Sequence, residues 1–315
     1  MRAGAPWCWA ARHDDPVAAE EGVGLICYLI NLDRSPERLA HFAAQARAQG
    51  LAFERIPAVD GRLVDAAERQ RCLATRFEFQ PLNPGEMGVF LSHRAAWTRL
   101  VDSGEPRAAV FEDDVALAPD TAAALDALDG PEALCDGPAA ADIVKLETTD
   151  RPVVLGEPVG MGLARPLPLG HQLRALRSWH GGAAGYVITQ ACAQHLLQAT
   201  WPLADPVDQV LFNPMSSISA RLQLLQLCPA LCIQQNILDR SQTSGVFGTT
   251  IDRHQTRGRL LRHGLVIDLK RAWTKHRERR RRRQLAKQPG MSLETVAFGH
   301  LSTTTETVAL PGRTS

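Results

Sequence analysis

The sequence has no long apolar run, although 45% of its 315 residues are apolar. No stretch approaches the roughly 20 consecutive apolar residues that a membrane-spanning helix needs. The first residues also lack the basic-then-apolar order of a secretory signal. These two absences predict a chain that stays in the cytosol or rests on the inner face of the cytoplasmic membrane.

A disulfide framework is also missing. The seven cysteines are odd in number and scattered through a large chain, which indicates a reducing compartment. Cys228 and Cys232 form one pair, but no second pair follows at the spacing of a zinc site, so structural zinc is not predicted. No internal repeat is present either, which excludes solenoids. The length and apolar content predict an ordinary globular protein.

The charge is unevenly distributed. Between Lys270 and Lys287 there are ten Lys and Arg residues and one acid, Glu278, so this segment carries +9. Since the whole chain carries +1, the remainder carries −8. The sequence therefore predicts an acidic body with a basic segment near its end.

The first ordered elements have the pattern of a β-α-β unit. Residues 25–30 are apolar on both faces, as in a strand buried between helices. Ser35 and Pro36 are suited to begin a helix that Gly50 ends, and a second strand is predicted at residues 53–56. Such units build parallel sheets, so the predicted class is α/β.

Further elements alternate along the chain. We predict a helix containing Phe90 and Trp97, strands at residues 142–146 and 186–188, and a helix at residues 190–199. The Pro- and Gly-rich residues 151–178 predict a long irregular excursion. The predicted organisation is a loose leader (1–24), one catalytic domain (25–250), a basic helical tail (251–288) and a disordered end (289–315).

Three consecutive acids, Glu112, Asp113 and Asp114, follow the apolar run of residues 108–111. A strand that ends in carboxylates places oxygen ligands at the carboxyl edge of a sheet, where open α/β folds bind ligands. Because adjacent carboxylates repel one another, a divalent cation carrying phosphate is the natural partner of this cluster. The alternative is a solvated turn or a helix cap.

Six short blocks, in this order, resemble glycosyltransferase family 25, which includes bacterial lipooligosaccharide galactosyltransferases. They are Asn31-Leu32-Asp33-Arg34-Ser35 with Arg38, Ala58-Val59-Asp60-Gly61, Gly85-Glu86 with Gly88 and Leu91-Ser92-His93, Phe111-Glu112-Asp113-Asp114-Val115, Gly182 with Gly185-Tyr186, and Pro206-Val207-Asp208. The resemblance implies a GT-A fold with a Rossmann-like, mostly parallel sheet flanked by helices. It also implies a UDP-sugar donor, commonly UDP-galactose, manganese or magnesium as cofactor, and inversion at the anomeric carbon.

The resemblance also implies roles for the acids. Asp114 is expected to bind the metal ion, and Asp113 or Glu112 to contact the metal or the donor. A divalent ion suits oxygen ligands and neutralises the charge that grows on a departing diphosphate. Few protein ligands are expected, because phosphate oxygens and water complete the coordination.

Further donor contacts are expected around the first strands. Asn31, Arg34 and Arg38 lie where the first strand meets its helix and would face the diphosphate, although the two arginines could also lie on a solvated helix face. Asp60 would bind the uracil or ribose, or form an ordinary Asp-Gly turn. Lys145 would meet a phosphate, or simply extend its amine beyond a strand end.

An inverting reaction needs one base that takes a proton from the acceptor hydroxyl. Asp208 is the candidate, with helix capping by Asp205 or Asp208 as the alternative. Glu86 is the second candidate, or it stabilises the helix that follows. His93 is either a ligand or, more simply, a packed residue of an amphipathic helix.

The basic segment has three interpretations. The six arginines from Arg277 to Arg283 could bind an anionic membrane surface, which would suit a lipid-linked or other oligosaccharide acceptor. Nucleic acid is a weaker candidate because no aromatic platform accompanies the arginines. A solvated helix is the third. For the whole chain, the alternative to an enzyme is a non-catalytic nucleotide-sugar-binding or RNA-associated module.

Overall fold

A computed structural model describes residues 24–129, 141–159, 166–242 and 261–299 of the chain. The predicted leader and the last residues lie almost wholly outside these ranges. The helices are α1 (Pro36–Ala48), α2 (Ala66–Cys72), α3 (Pro84–Ser103), α4 (Thr121–Leu128), α5 (Gln190–Ala199), α6 (Val207–Phe212), α7 (Gln235–Gln242) and α8 (Leu261–Leu285). The strands are β1 (Cys27–Asn31), β2 (Glu54–Pro57), β3 (Arg107–Glu112), β4 (Val115–Leu117), β5 (Ile143–Lys145), β6 (Glu147–Thr148), β7 (Pro152–Pro158), β8 (Gln172–Leu176), β9 (Gly185–Thr189), β10 (Leu224–Cys228), β11 (Cys232–Gln234) and β12 (Ser292–Thr295).

Nine strands form one mixed sheet in the order β12-β7-β8-β10-β5-β9-β3-β1-β2. The pairs β1 with β2, β1 with β3, and β5 with β10 are parallel, and the other neighbours are antiparallel. The α/β class with a large sheet flanked by helices is confirmed. Two of the three parallel pairs join β2, β1 and β3, of which β1 and β2 were predicted by the β-α-β pattern, and the third joins β5 and β10. The other five pairs are antiparallel, so the sheet is mixed rather than mostly parallel.

Apolar side chains cover both faces of this sheet. On one face, Tyr28 and Val110 pack in a cluster with Trp97 of α3. On the other face, Leu29 and Phe111 pack with residues of α1 and α4. Successive side chains of a strand point to opposite faces, so a strand buried on both faces must be apolar throughout. The continuous apolar run in β1 has this cause.

Two segments differ from the prediction. Residues 151–178, expected to be irregular, contain β7 and β8, which pair antiparallel near the sheet edge. Residues after 289, expected to be disordered, contain β12, which pairs antiparallel with β7 as the edge strand. Edge strands tolerate the Pro and Gly that central strands exclude, which is why these segments resembled loops.

α3 begins with a capping box and ends at a left-handed glycine. The Asn83 side chain accepts from the backbone N–H of Glu86, while the Glu86 carboxylate accepts from the backbone N–H of Asn83. This reciprocal pair satisfies two donors that a helix start leaves open. Gly104, with φ 78°, ends the helix in the left-handed region. No helix in the described ranges is long and apolar enough to cross a membrane.

Candidate active site

The acid loop, defined as Glu112 to Asp114, joins β3 to β4. β4 belongs to a second, three-stranded sheet in the order β4-β11-β6. The backbone N–H of Gln235 donates to the carbonyl oxygen of Asp114 at 2.8 Å. The loop is therefore anchored on both sides, by the large sheet through β3 and by the small sheet through β4.

Asp113 is neutralised by side chains of β1 and α1. Its Oδ2 accepts from the Asn31 amide at 2.7 Å, and its Oδ1 from the Arg38 guanidinium at 3.2 Å. Asn31, Arg38 and Asp113 are all buried. Asn31 and Arg38 were predicted to contact the donor. In the structure, Asn31 holds the acid loop and is absent from the cavity wall, whereas Arg38 holds the loop and also lines the cavity.

Asp114 keeps one carboxylate oxygen without a protein partner. Its Oδ1 is buried and makes no hydrogen bond, while its Oδ2 lies 3.8 Å from Arg38. Burial, and after it the charge of Glu112, raises the pKa of Asp114 to about 7. An ionised carboxylate in this position is electrostatically unfavourable until a cation neutralises it.

Glu112 is linked to the interior by a chain of polar contacts. Its Oε1 lies 3.2 Å from Nε2 of His93, whose Nδ1 lies 2.9 Å from the Tyr186 hydroxyl, and Trp97 donates to that hydroxyl at 2.9 Å. Burial lowers the pKa of His93 to about 3, so the imidazole is neutral. Burial, then the charges of Asp113 and Asp208, raises the pKa of Glu112 to about 7. His93 is thus a buried, neutral residue that orients Glu112, and it also lies in the wall of the cavity that the acid loop faces.

The acid loop faces a cavity of about 810 Å³, which we call the main cavity. Its volume lies within the range of small-molecule sites, roughly 300–1,000 Å³. Of the candidate residues named from the sequence, eight line it: Arg34, Arg38, Asp60, Glu86, His93, Glu112, Asp113 and Asp114. Asn31, Lys145 and Asp208 lie outside this lining.

Arg34 and Asp60 form an ion pair in the wall of the main cavity. Partial burial raises the pKa of Asp60, but hydrogen bonds from Arg62 and the charges of Arg34 and Arg62 outweigh it and lower the pKa overall. Both residues occupy the positions that the sequence predicted, at the carboxyl ends of β1 and β2.

Two glycines let this wall form. A β-carbon on Gly61 would lie 1.7 Å from the carbonyl oxygen of Pro84, and one on Gly88 would lie 2.5 Å from that of Val59. The Ser92 hydroxyl joins the same segments, accepting from the backbone N–H of Val59 and donating to the Gly88 carbonyl. The second and third sequence blocks therefore pack directly on each other and place Asp60 in the cavity.

Glu86 is occupied by helix capping. Its Oε2 accepts from the Asn83 backbone, and its Oε1 accepts from the Gln80 amide at 2.9 Å. The structural role that the sequence left open as an alternative is the one observed. Both carboxylate oxygens of Glu86 therefore accept hydrogen bonds from the protein, although the residue also lines the main cavity.

Asp208 lies in the first turn of α6 and is partly buried. Its Oδ2 accepts from the backbone N–H of Gly182 at 3.3 Å, and burial raises its pKa. The residue that caps α6 is Pro206. Asp205, the other capping candidate, instead accepts from the backbone N–H groups of residues 78, 79 and 80.

Lys145 differs from its predicted role. Its amine is fully buried, 2.9 Å from Oε2 of Glu147 and 2.6 Å from the Gly182 carbonyl oxygen, and it lies 4.1 Å from the centre of the Phe212 ring. It is therefore a structural cation beneath Gly182, and not a contact of the main cavity.

Glu147 is a buried acid close enough to the acid loop to interact with the charges of Glu112 and Asp114, and the sequence interpretation missed it. It is fully buried, Oε2 accepts from Lys145 and from the Ala184 backbone, and Oε1 has no partner. Burial raises its pKa. The only sequence signal was its position two residues after Lys145, and one carboxylate after a strand is too common to be diagnostic.

The acid loop suits an ion that is shared with a ligand. In the described part of the chain, no group of three or more His, Cys, Asp or Glu side chains converges as a complete metal cage. Magnesium-like ions are commonly held by one or two carboxylates together with substrate phosphates. The unpartnered oxygen of Asp114 fits that arrangement, whereas both oxygens of Asp113 already have protein partners.

α8 contributes to the cavity wall. Thr274, Lys275 and Glu278 line the main cavity together with residues of α3 and α6. Arg281 and Arg282 donate to backbone carbonyl groups of Pro214 and Pro152. The segment predicted to be a separate basic tail is packed against the body, next to the site.

Comparison with known proteins agrees with this geometry. Residues 25–211 match the model of "Glycosyltransferase family 25 (LPS biosynthesis protein)". Lacto-N-neotetraose biosynthesis glycosyltransferase LgtE of Neisseria meningitidis serogroup B is 30% identical, over 83% of this chain and 94% of that protein. The LgtB protein of Neisseria gonorrhoeae is 29% identical, over 78% and 84%.

A third relative is the lipooligosaccharide biosynthesis protein lex-1 of Haemophilus influenzae, 27% identical over 56% of this chain and 58% of that protein. The family match spans the acid loop, Arg34, Asp60 and Asp208, whereas the part of the cavity wall that α8 contributes lies outside the matched residues. The chain belongs to glycosyltransferase family 25 and is a glycosyltransferase.

Proposed function

We propose that this enzyme is a metal-dependent, inverting hexosyltransferase that moves galactose from a UDP-sugar to a cell-surface oligosaccharide such as lipooligosaccharide core. One observation carries the proposal: at the edge of β1, β2 and β3, a buried carboxylate oxygen of Asp114 without a partner lies in the wall of a ligand-sized cavity. A nucleotide diphosphate with its cation supplies the charge that this position lacks.

The acceptor class rests on the relatives. Two of them are named for lacto-N-neotetraose biosynthesis and one for lipooligosaccharide biosynthesis. We extend to this chain the oligosaccharide acceptor and the galactose donor that our sequence comparison implied. The β1-α1-β2 unit with an acid loop at its carboxyl edge supports a fold of the GT-A type.

In this proposal the donor lies in the main cavity. Asp60 and Arg34 would contact the uracil and ribose, since both line the cavity and hold each other in place. Arg38 would contact the diphosphate while fixing Asp113. Asn31 would not contact the donor itself but would position Asp113 through its hydrogen bond. Glu112 would face the donor sugar, and its contact with His93 would set its orientation.

Manganese or magnesium would be held by Asp114, with Asp113 as the second candidate ligand. When bound, the ion supplies positive charge against the charge that grows on the leaving diphosphate. Arg38 contributes to the same neutralisation, because its guanidinium lies within 3.2 Å of Asp113 and 3.8 Å of Asp114.

Asp208 is the proposed base. It would accept the proton of the acceptor hydroxyl as that oxygen bonds to the anomeric carbon and the bond from this carbon to the β-phosphate oxygen breaks. Its raised pKa makes it a stronger proton acceptor than an ordinary aspartate. Trp179 and Gln209 line the main cavity; Gln209 follows Asp208 in α6, and a β-carbon on Gly181 would lie 3.3 Å from Trp179 and 3.6 Å from Oδ2 of Asp208.

α8 carries exposed arginines that could bind a membrane surface. Arg279, Arg280 and Arg283 are exposed, whereas Arg281 and Arg282 donate to backbone carbonyl groups of the body. We propose that these three bind anionic lipid, which would hold a cytosolic enzyme at the inner face of the membrane beside a lipid-linked acceptor. Nucleic-acid binding and a non-catalytic module gain no support from any described contact.

The test is thermal unfolding with UDP and manganese, alone and together. We expect stabilisation that requires both, and a matched Asp114→Asn variant should lose it because its side chain is uncharged. A donor screen that follows UDP release should select UDP-galactose. Equal stabilisation by UDP without the metal would contradict metal dependence, and release from another UDP-hexose would contradict the sugar assignment.

A further inference from the structure

A second, smaller cavity adjoins the main cavity on the side of α8. It has a volume of about 360 Å³ and is lined by seven residues: Glu78, Phe79, Met215, Ser217, Trp273, Thr274 and Arg277. Phe79 and Thr274 also line the main cavity, so the two spaces share a wall. A molecule in the smaller cavity would reach the donor site across these two residues.

Trp273 is the unusual member of this lining. It is 59% exposed, although an indole buries a large apolar area when it is covered. The Arg277 guanidinium lies over one face of its ring, at 4.5 Å from the ring centre. An exposed indole held by a neighbouring cation is a ready platform for a flat, partly apolar ligand.

The opposite wall of the smaller cavity is firmly held. The Asp205 carboxylate accepts from three successive backbone N–H groups, those of Glu78, Phe79 and Gln80. The Glu78 carboxylate in turn accepts from the backbone N–H of Ser217 at 3.0 Å. The wall facing Trp273 is therefore preorganised, which lowers the cost of binding a ligand there.

We propose that Trp273 is the acceptor platform: the terminal sugar of the oligosaccharide acceptor stacks its C–H face on the indole, beside Phe79, with its reacting hydroxyl directed to the main cavity. This rests on the proposed function. Hexose rings have one apolar C–H face and a polar rim, and Glu78, Ser217 and Arg277 surround the platform with hydrogen-bonding groups. The basic helix thereby acquires a role in acceptor recognition in addition to membrane contact.

The experiment compares Trp273→Ala and Trp273→Phe with the wild type. Transfer is measured with UDP-galactose and manganese, using lactose, N-acetyllactosamine and N-acetylglucosamine as acceptor probes. For the preferred probe, Trp273→Ala should raise the acceptor KM about tenfold with little change in kcat or in the donor KM. Trp273→Phe should recover part of the loss because a ring remains.

A second readout needs no turnover. Titration with the same saccharides should change the intrinsic fluorescence of the wild type, and Trp273→Phe should abolish that change. Leu293→Ala is the matched control, because Leu293 is 49% exposed on β12 and lines neither cavity. It should behave as the wild type in both assays.

The outcomes separate the two proposals. An acceptor KM that Trp273→Ala leaves unchanged would overturn the platform, and so would a Trp273→Ala variant that loses only its binding to anionic vesicles. Failure of UDP and manganese to stabilise the wild type would overturn the proposed function instead.

Discussion

Gly182 and Glu147 are in direct contact behind the main cavity: a β-carbon on residue 182 would lie 2.4 Å from Oε1 of Glu147. The same glycine has φ 81°, accepts from Lys145 through its carbonyl and donates to Asp208 through its N–H. Because residue 182 has no side chain, its backbone can pass close to a neighbouring group. It passes near a buried carboxylate of the protein itself.

Gly182→Ala should lower the free energy of unfolding for two reasons: alanine disfavours the left-handed backbone at this position, and its β-carbon would clash with Glu147. We expect a loss of about 3 kcal/mol in the free energy of unfolding, measured by urea denaturation. Gly50→Ala is the matched control, since Gly50 has φ 67° and nothing within 4 Å of its added carbon. It should cost about 1 kcal/mol. Equal losses in the two variants would mean that Glu147 moves away freely.

Asp114→Asn should make the metal-free protein more stable at high pH. The pKa of Asp114 is about 3.8 in the unfolded chain and is raised to about 7 in the folded protein. As the pH rises from about 4 to about 7, the unfolded chain therefore loses this proton more readily than the folded protein, and the wild type becomes less stable. We expect the variant to be more stable by about 1–3 kcal/mol at pH 8, and less so toward pH 5. Urea denaturation at both pH values measures this. A difference that grows toward pH 5 would contradict the raised pKa.

Asp208→Asn should separate binding from chemistry. The variant retains a hydrogen-bonding oxygen for Gly182, so stabilisation by UDP and manganese should persist, while kcat should fall about 100-fold or more. Glu86→Gln is the comparison, because glutamine still accepts from the Asn83 backbone and should keep kcat within about threefold. The reverse pattern would transfer the role of base to Glu86.

Replacing Arg279, Arg280 and Arg283 by Gln should weaken binding to anionic vesicles. Each exposed basic residue near such a surface contributes about 1 kcal/mol, so flotation with phosphatidylserine vesicles should show an affinity loss of about 100-fold. Neutral phosphatidylcholine vesicles are the control and should bind neither protein. Undiminished binding of the variant would mean that these arginines serve solubility alone.

The sequence predicted the part of the fold that local patterns control. β1, α1 and β2 appear where the apolar run, the Ser35-Pro36 start and Gly50 placed them. The acid loop follows β3 as expected, and α5 begins at Gln190 as predicted. These elements depend on neighbouring residues, whose periodicity the sequence displays directly.

Other elements depend on distant partners. β12 exists because it can pair with β7, far earlier in the chain, and nothing within residues 292–295 signals that pairing. α8 resembles a solvated basic helix until its Thr274 and Lys275 are seen in the cavity wall. Such long-range contacts leave no local pattern.

The sequence by itself determined the family, the α/β class and the chemistry available at the acid loop, because those follow from residue types in an ordered set of short motifs. Only the tertiary structure decided how the charges are shared. It neutralises Asp113 with Asn31 and Arg38, leaves Asp114 with an unpartnered oxygen, and buries Lys145 against Glu147. The physical reason is that burial and pairing, which set the energy of each charge, arise from residues brought together by folding and not from those adjacent in the chain.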